Sequence, residues 1–398
     1  DLKWETTITR NIGVDFGFFN SRLTGTIDAY WNTTKDLLMK TAIPGITGFT
    51  STYANVGQTS NKGIEFALQG VLVKTRDWNV TAGFNINFNR GKVDKLADNV
   101  TGLYGTEWAT SSTFPKSDYV LKEGRPVGLV RGLTADGFYT TDDFTYENGV
   151  YTLKEGVADV SSAVFPNYHL HNGMNERPAG QLAYPGMAKF KDLNDDGIIN
   201  DDDVDVIGDM TPVHTGGFNI NATYKNFDLG LYFNWSYGNE IYNVNKLAAL
   251  YGYKEGAVYE NKLSIVKDCY KIYDVVNGEL VALTTPEQLN AANANAKLPL
   301  AYSENGYVST LGIEDGSYLR LNTLTLGYTL PKSMLQKAGI SNLRVYGSIY
   351  NVFTITGYSG IDAEVSTSTS TKTYPQLGMD WGTYPRARSF VLGVNLSF

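Results

Sequence analysis

The chain has 398 residues and a formal net charge of −8, which argues against a nucleic-acid partner, since neutralising phosphates needs an excess of Lys and Arg. It holds 27 Tyr, 18 Phe, 6 Trp and 41 Gly, a composition far from the Leu-, Ala-, Glu- and Lys-rich usage of soluble helical enzymes. A single cysteine, Cys269, excludes an intrachain disulfide, argues against structural zinc and reads as an ordinary loop residue.

No stretch approaches the roughly 18–20 apolar residues of a transmembrane helix. Membrane-crossing strands stay open, because alternating lipid-facing and polar residues average toward zero hydropathy, and the mean hydropathy here is −0.23.

Alternation with a period of two marks the strands in chain order. Over 6–18, Ile8, Ile12, Val14, Phe16 and Phe18 share one parity, against Thr9, Asn11, Gly13, Asp15 and Gly17. Leu23, Gly25, Ile27, Ala29 and Trp31 predict a strand over 23–32, and Ile64, Phe66, Leu68 and Leu72 one over 62–73. The cleanest case is 78–89, where Trp78, Val80, Ala82, Phe84, Ile86 and Phe88 oppose Asn79, Thr81, Gly83, Asn85, Asn87 and Asn89. Strands follow at 215–224 and 227–237. The pattern weakens at 317–330, where Leu319, Leu321, Leu324, Leu326 and Leu330 fall on both parities. It returns at 342–353 and at 389–398, which ends on Phe398.

Nine strands are thus predicted. Their connections alternate between tight links (Phe19–Arg22, Lys74–Asp77, Lys225–Asn226, Pro331–Ser341) and long loops at 33–61, 90–214, 238–316 and 354–388. Short turns at one end and long loops at the other are the asymmetry of a transmembrane β-barrel, with the long loops extracellular and the C-terminus periplasmic. Single-chain bacterial barrels have even strand numbers, and open edges in lipid are untenable. The expectation is therefore the C-terminal part of an all-β, antiparallel outer-membrane barrel. No signal peptide opens the chain.

Several strings resemble the SusC-like TonB-dependent transporters of Bacteroidetes. They are Leu2-Lys3-Trp4-Glu5, Asn11-Ile12-Gly13-Val14-Asp15, Asn55-Val56-Gly57 with Asn61-Lys62-Gly63-Ile64-Glu65, and Glu123-Gly124-Arg125-Pro126-Val127-Gly128. Phe190-Lys191-Asp192-Leu193-Asn194-Asp195-Asp196-Gly197, Gly316-Ser317-Tyr318-Leu319-Arg320-Leu321 and the terminal Phe398 complete the set. The resemblance implies a 22-stranded barrel, of which these would be about the last nine strands. It also implies a plug domain and a TonB-contacting segment outside this chain, and a SusD-like surface lipoprotein as partner. The implied activity is import of oligosaccharides or peptides.

The sharpest local motif is the 192–203 loop, with Asp192, Asn194 and Asp196 at positions 1, 3 and 5, Gly197 at 6, Ile198 carbonyl at 7, Asn200 at 9 and Asp203 at 12. This is the EF-hand-like spacing for calcium, with Asp203 in place of the usual Glu. The bland alternative is an acidic, solvated turn. Residues 90–214 hold 20 Asp and Glu against 11 Lys and Arg, read as the solvation of a long surface loop.

Trp108, Tyr139, Trp381 and Tyr384 are candidates for stacking on substrate, whereas Trp31, Trp78 and Trp235 at strand ends suit an interfacial aromatic girdle. His169, His171 and His214 are too isolated for a metal or triad, and no Gly-x-Ser-x-Gly elbow appears, which disfavours catalysis. Two alternatives stay open: a surface adhesin or scaffold anchored by the barrel, and a soluble glycan-binding β-sandwich.

Overall fold

The computed structural model describes residues 2–42, 46, 48, 51–96, 100–110, 113–165, 177–250, 261–301, 306–336, 339–367 and 376–398. Its frame is a nine-stranded sheet in strict chain order. We number its strands β1 (Thr6–Phe18), β2 (Leu23–Ala42), β3 (Ser51–Lys74), β4 (Trp78–Lys95), β5 (His214–Tyr224), β6 (Phe227–Tyr237), β7 (Tyr318–Thr329), β8 (Asn342–Thr356) and β9 (Ser389–Ser397). Every neighbouring pair is antiparallel.

Register turns the sequence parities into two continuous faces. Phe16, Gly25, Leu68, Phe84, Phe218, Phe233, Leu321 and Phe353 lie opposite one another in turn across β1 to β8. One residue along, Asp15, Thr26, Ala67, Asn85, Gly217, Asn234, Arg320 and Thr354 form the matching row of the other face. A one-residue slip would exchange the apolar and polar faces, so the alternation of residue type pins the register. The polar face is concave: Asp15, Thr24, Thr26, Gln69, Asn85 and Asn219 line a hollow in it.

The weakened alternation at 317–330 has a local cause. Tyr232 and Phe233 of β6 pair with Thr323 and Leu321 of β7, so Asn322 is an extra residue. This β-bulge shifts the parity by one and returns Leu319, Leu321, Leu324 and Leu326 to the same face. On the next strand Asn351, at φ 54°, takes the compensating left-handed conformation.

Three of the expected loops are shorter than the sequence suggested. The 33–61 region is mostly strand, since β2 runs to Ala42 and β3 starts at Ser51. Thr33, Thr34, Ser60 and Asn61 pair across that hairpin although their side chains do not alternate in polarity. Strands of 20 and 24 residues exceed the roughly 9–11 needed to cross a bilayer, so this hairpin extends well past the apolar band. Likewise β4 reaches Lys95 and β8 reaches Thr356.

The remaining connections are not a solvated loop, which corrects the reading of 90–214. The described residues of segments 100–213 and 238–317 pack into a body around Val130, Leu133, Tyr151, Tyr184, Leu247 and Leu289, all fully buried. Its short strands include a four-stranded sheet, Asp205–Asp209, Leu129–Gly132, Tyr119–Leu121 and Leu103–Gly105 in spatial order. The body holds a short helix, α1 (Val244–Leu250), preceded by the strand Glu240–Asn243. That strand is bordered by Ile313–Asp315 and by Met379–Asp380, which joins the loop after β8 to the body. A second helix, α2 (Pro286–Asn293), starts on a Thr285 cap that accepts from the Gln288 N–H. Cys269, expected as an ordinary loop residue, is buried in the core, and burial pushes its thiol up to about 11.

Candidate functional site

The concave wall is polar by construction. Strand alternation puts amides and hydroxyls on one face, and there they bond across strands. Asn322 donates to Asn234 at 2.6 Å, Asn234 to the Tyr318 hydroxyl at 3.1 Å, and the Tyr232 hydroxyl to Asn221 at 3.0 Å. Nearer the short turns, Arg344 on β8 forks onto Asp228 on β6, donating to both carboxylate oxygens at 2.8 and 2.5 Å. The pair reaches across β7 only because Gly327 stands between; a Cβ there would lie 2.5 Å from Asp228 Oδ1 and 2.6 Å from Arg344 Nη2.

At the other end of the wall, the loop after β8 is tied to the sheet by charge. Arg320, 3% exposed, pairs with Asp362 and, at 3.1 Å, with Glu364, and its Nε donates to Thr354 at 3.0 Å. Arg386 joins the same two carboxylates at 3.3 and 3.0 Å. Sequence reasoning missed this network as a site. An Arg on the polar parity of a strand was the available signal, but its acidic partners lie more than forty residues away.

The 192–203 loop closes tightly on itself. Asp192 accepts the N–H groups of Asp196 and Gly197 at 3.3 and 2.7 Å, and Asp196 accepts that of Ile198 at 2.9 Å. Asn194 accepts from Asp196 at 3.1 Å, and Asn200 from Asp202 at 2.7 Å. Asp203 is wholly buried and accepts from Leu193 and Asn200 at 2.7 and 2.8 Å. A parallel bridge from Asp159–Val160 to Ile198–Ile199 fixes the loop to the body. Among the described residues no group of three or more His, Cys, Asp or Glu is arranged to hold a metal ion. The donor set is nonetheless all oxygen, and each carboxylate oxygen engaged by one N–H keeps a second lone pair, which suits a hard cation.

The aromatic candidates separate. Tyr139 is corrected from a substrate contact to a core residue: it is fully buried and its hydroxyl donates to the Ala158 carbonyl at 2.6 Å. Burial, then the charge of Asp159, drives that hydroxyl's ionisation far upward. Trp108 is half-buried, packed edge-on to Tyr242 with ring centroids 6.4 Å apart. Trp381 and Tyr384, 48% and 88% exposed, stand on the surface of the loop after β8. Next to Tyr139, Lys189 pairs with Asp143 at 2.7 Å. Burial works against the Asp143 carboxylate, but Lys189 and the Thr140 N–H and hydroxyl together hold its pKa below the usual range. His169 and His171 lie outside the described residues, and His214 stacks on Tyr237.

Residues 1–184 match the family described as TonB dependent receptor-like, beta-barrel. Over its whole length the chain is 30% identical to TonB-dependent receptor P3 of Formosa agariphila and 29% identical to TonB-dependent receptor SusC of Bacteroides thetaiotaomicron. It spans about a third of those relatives, 34% and 32% of their lengths. Among solved structures, the RagAB peptide importer in its closed-closed state superposes with a TM-score of 0.70 at 24% identity, over 100% of this chain and 36% of that one. That likeness concerns the fold, and it places the nine-stranded sheet among barrel walls. On these matches residues 1–184 are similar to the TonB dependent receptor-like β-barrel family, and the chain along its whole length is similar to SusC and other TonB-dependent receptors.

Proposed function

We propose that the chain is barrel wall and outer loop body of an outer-membrane importer of oligosaccharides or peptides, driven through TonB and working with a SusD-like surface lipoprotein. The observation that carries this reading is the division of the sheet into an apolar face and a concave polar face, with the long connections folded into a body at one end. In this reading the apolar face meets lipid, the polar wall lines a hydrated path, and the loop body is extracellular. Trp381 and Tyr384 offer exposed rings to the substrate. The naming of RagAB as a peptide importer favours peptides as the first substrates to try.

The same reading gives the 192–203 loop a bound calcium ion, held by Asp192, Asn194, Asp196, the Ile198 carbonyl, Asn200 and Asp203. The ion would stiffen the loop, with no part in chemistry.

Uptake in whole cells tests the function. Deleting the gene, or collapsing the proton gradient, is expected to abolish accumulation of labelled peptides or oligosaccharides. Undiminished accumulation of both substrate classes would contradict the reading. For the metal, elemental analysis is expected to find about one calcium per chain, lost in Asp192→Ala. Equal calcium in both proteins would contradict it.

A further inference from the structure

A row of cations lies on the apolar face, where a membrane protein has least reason to place them. Arg10 is opposite Trp31, Trp31 opposite Lys62, and Lys62 opposite Arg90. Two residues nearer the short turns, the same face carries Ile12, Ala29, Ile64 and Phe88. Two residues farther away it carries Ile8, Thr33, Ser60 and Lys92. The cationic row is therefore the first one beyond the apolar band.

All four side chains of the row are exposed. Among the described residues Arg10 and Lys62 form no ion pair, and Arg90 uses Nη1 only on the carbonyls of Asn89, Pro212 and Val213, at 2.9, 2.9 and 3.0 Å. Lys92 is different, being paired with Asp94 at 3.1 Å. Three cations thus lack a carboxylate in a chain whose net charge is −8. The feature is local: the next strand, β5, begins at His214, whose ring meets Phe88 of the row nearer the short turns at 5.4 Å and stacks on Tyr237 at 5.0 Å.

A lipid-facing Arg or Lys costs about 2–4 kcal/mol at the bilayer midplane but about 0–1 near the interface, so the row suits headgroup depth. Strands about 4.8 Å apart bring Lys62 and Arg90 within reach of a single phosphate, with Arg10 two strands away for a second. Trp31, between Arg10 and Lys62, is a residue favoured at that depth.

We propose that Arg10, Lys62 and Arg90 bind the phosphates of an anionic outer-leaflet glycolipid, its acyl chains lying along the apolar rows below. This rests on the reading of the sheet as a membrane wall with its long-loop end outward. A soluble anion would use the charges but not the apolar surface beneath them.

The test uses the native protein purified from outer membranes in a neutral detergent, with two probes of equal acylation, bisphosphorylated lipid A and enzymatically dephosphorylated lipid A. Native mass spectrometry is expected to show adducts of the phosphorylated probe alone. Binding should fall about tenfold or more in the Arg10→Gln, Lys62→Gln double variant, and survive in Arg10→Lys and Lys62→Arg. Equal binding of both probes to the parent protein would overturn the proposal, and needs no variant to fold. So would an unchanged affinity in a double variant that keeps the heat-modifiable migration of a folded barrel, or displacement of lipid A by inorganic phosphate at equal concentration. Failure of substrate uptake would overturn the importer reading while leaving the phosphate discrimination intact.

Discussion

The sheet and the loop body use the same apolar residue types in opposite ways. On β9, Phe390, Leu392 and Val394 are 72%, 88% and 62% exposed, whereas Val130, Leu133 and Leu247 of the loop body are fully buried. In water the first arrangement would be a liability, as contiguous apolar surface of that extent marks a contact. Lipid removes the penalty, so the sheet needs no interior core and can keep a polar wall on its other face. The loop body has no such solvent and must build a core from its own side chains. One chain is thus folded under two solvent rules, and the boundary lies where the long strands end.

The largest effects that would sharpen this contrast are in the body's core. Tyr139→Ala removes a buried ring and its hydrogen bond to Ala158, and should cost the loop body about 3–5 kcal/mol. Hydrogen exchange is expected to rise through 119–210 and not in the sheet; loss of sheet protection instead would deny the two regions their independence. Next comes Leu231→Arg, which puts a charge inside the apolar face opposite Leu324 and Ile220. It should cost about 2–4 kcal/mol in urea-titrated unfolding from lipid vesicles. The same change on the polar face, Asn219→Arg, is expected to cost much less, and equal costs would undo the assignment of the faces.

A smaller effect follows at Gly327. An added methyl there should push Arg344 from Asp228 and cost about 1 kcal/mol in the same unfolding assay. Asp228→Asn should absorb most of that penalty, since the pair is already broken; additive costs would place the strain elsewhere. The smallest is a pH effect in the body. Because the folded pKa of Asp143 is depressed, its contribution is present above the unfolded value of about 3.9 and is lost as pH falls through the folded value. Exchange protection of 139–154 should weaken on acidification below about pH 4, and Asp143→Asn should flatten that dependence.

How legible each region was follows from the same contrast. All nine strands could be read because each meets two unlike environments, and β1 and β6 match to the residue. Where alternation failed at 317–330 the cause was one bulged residue, Asn322, which shifts parity without ending the strand. The β2–β3 extension was missed because beyond the bilayer both faces meet water and alternation carries no advantage. The loop body was illegible for a further reason: its strands are two to five residues long, too short for a period, and its contacts are remote. The Tyr119 hydroxyl donates to the Leu377 carbonyl, and Thr141 to Asn290. Of the site, the hydrogen-bonded turn at 192–203 was foreseeable from its spacing, whereas the burial of Tyr139 was not.

The central claim is that one face of the sheet meets lipid and the other water. Single cysteines introduced one at a time along 78–88, in a Cys269→Ser background, test it most directly once spin-labelled in native outer membranes. Collision with lipid-soluble oxygen should peak at Val80, Ala82, Phe84 and Ile86, and collision with a water-soluble nickel chelate at Asn79, Thr81, Gly83 and Asn85. Two out-of-phase profiles with a period of two are the predicted result. Profiles in phase, or chelate access equal at every position, would contradict the account.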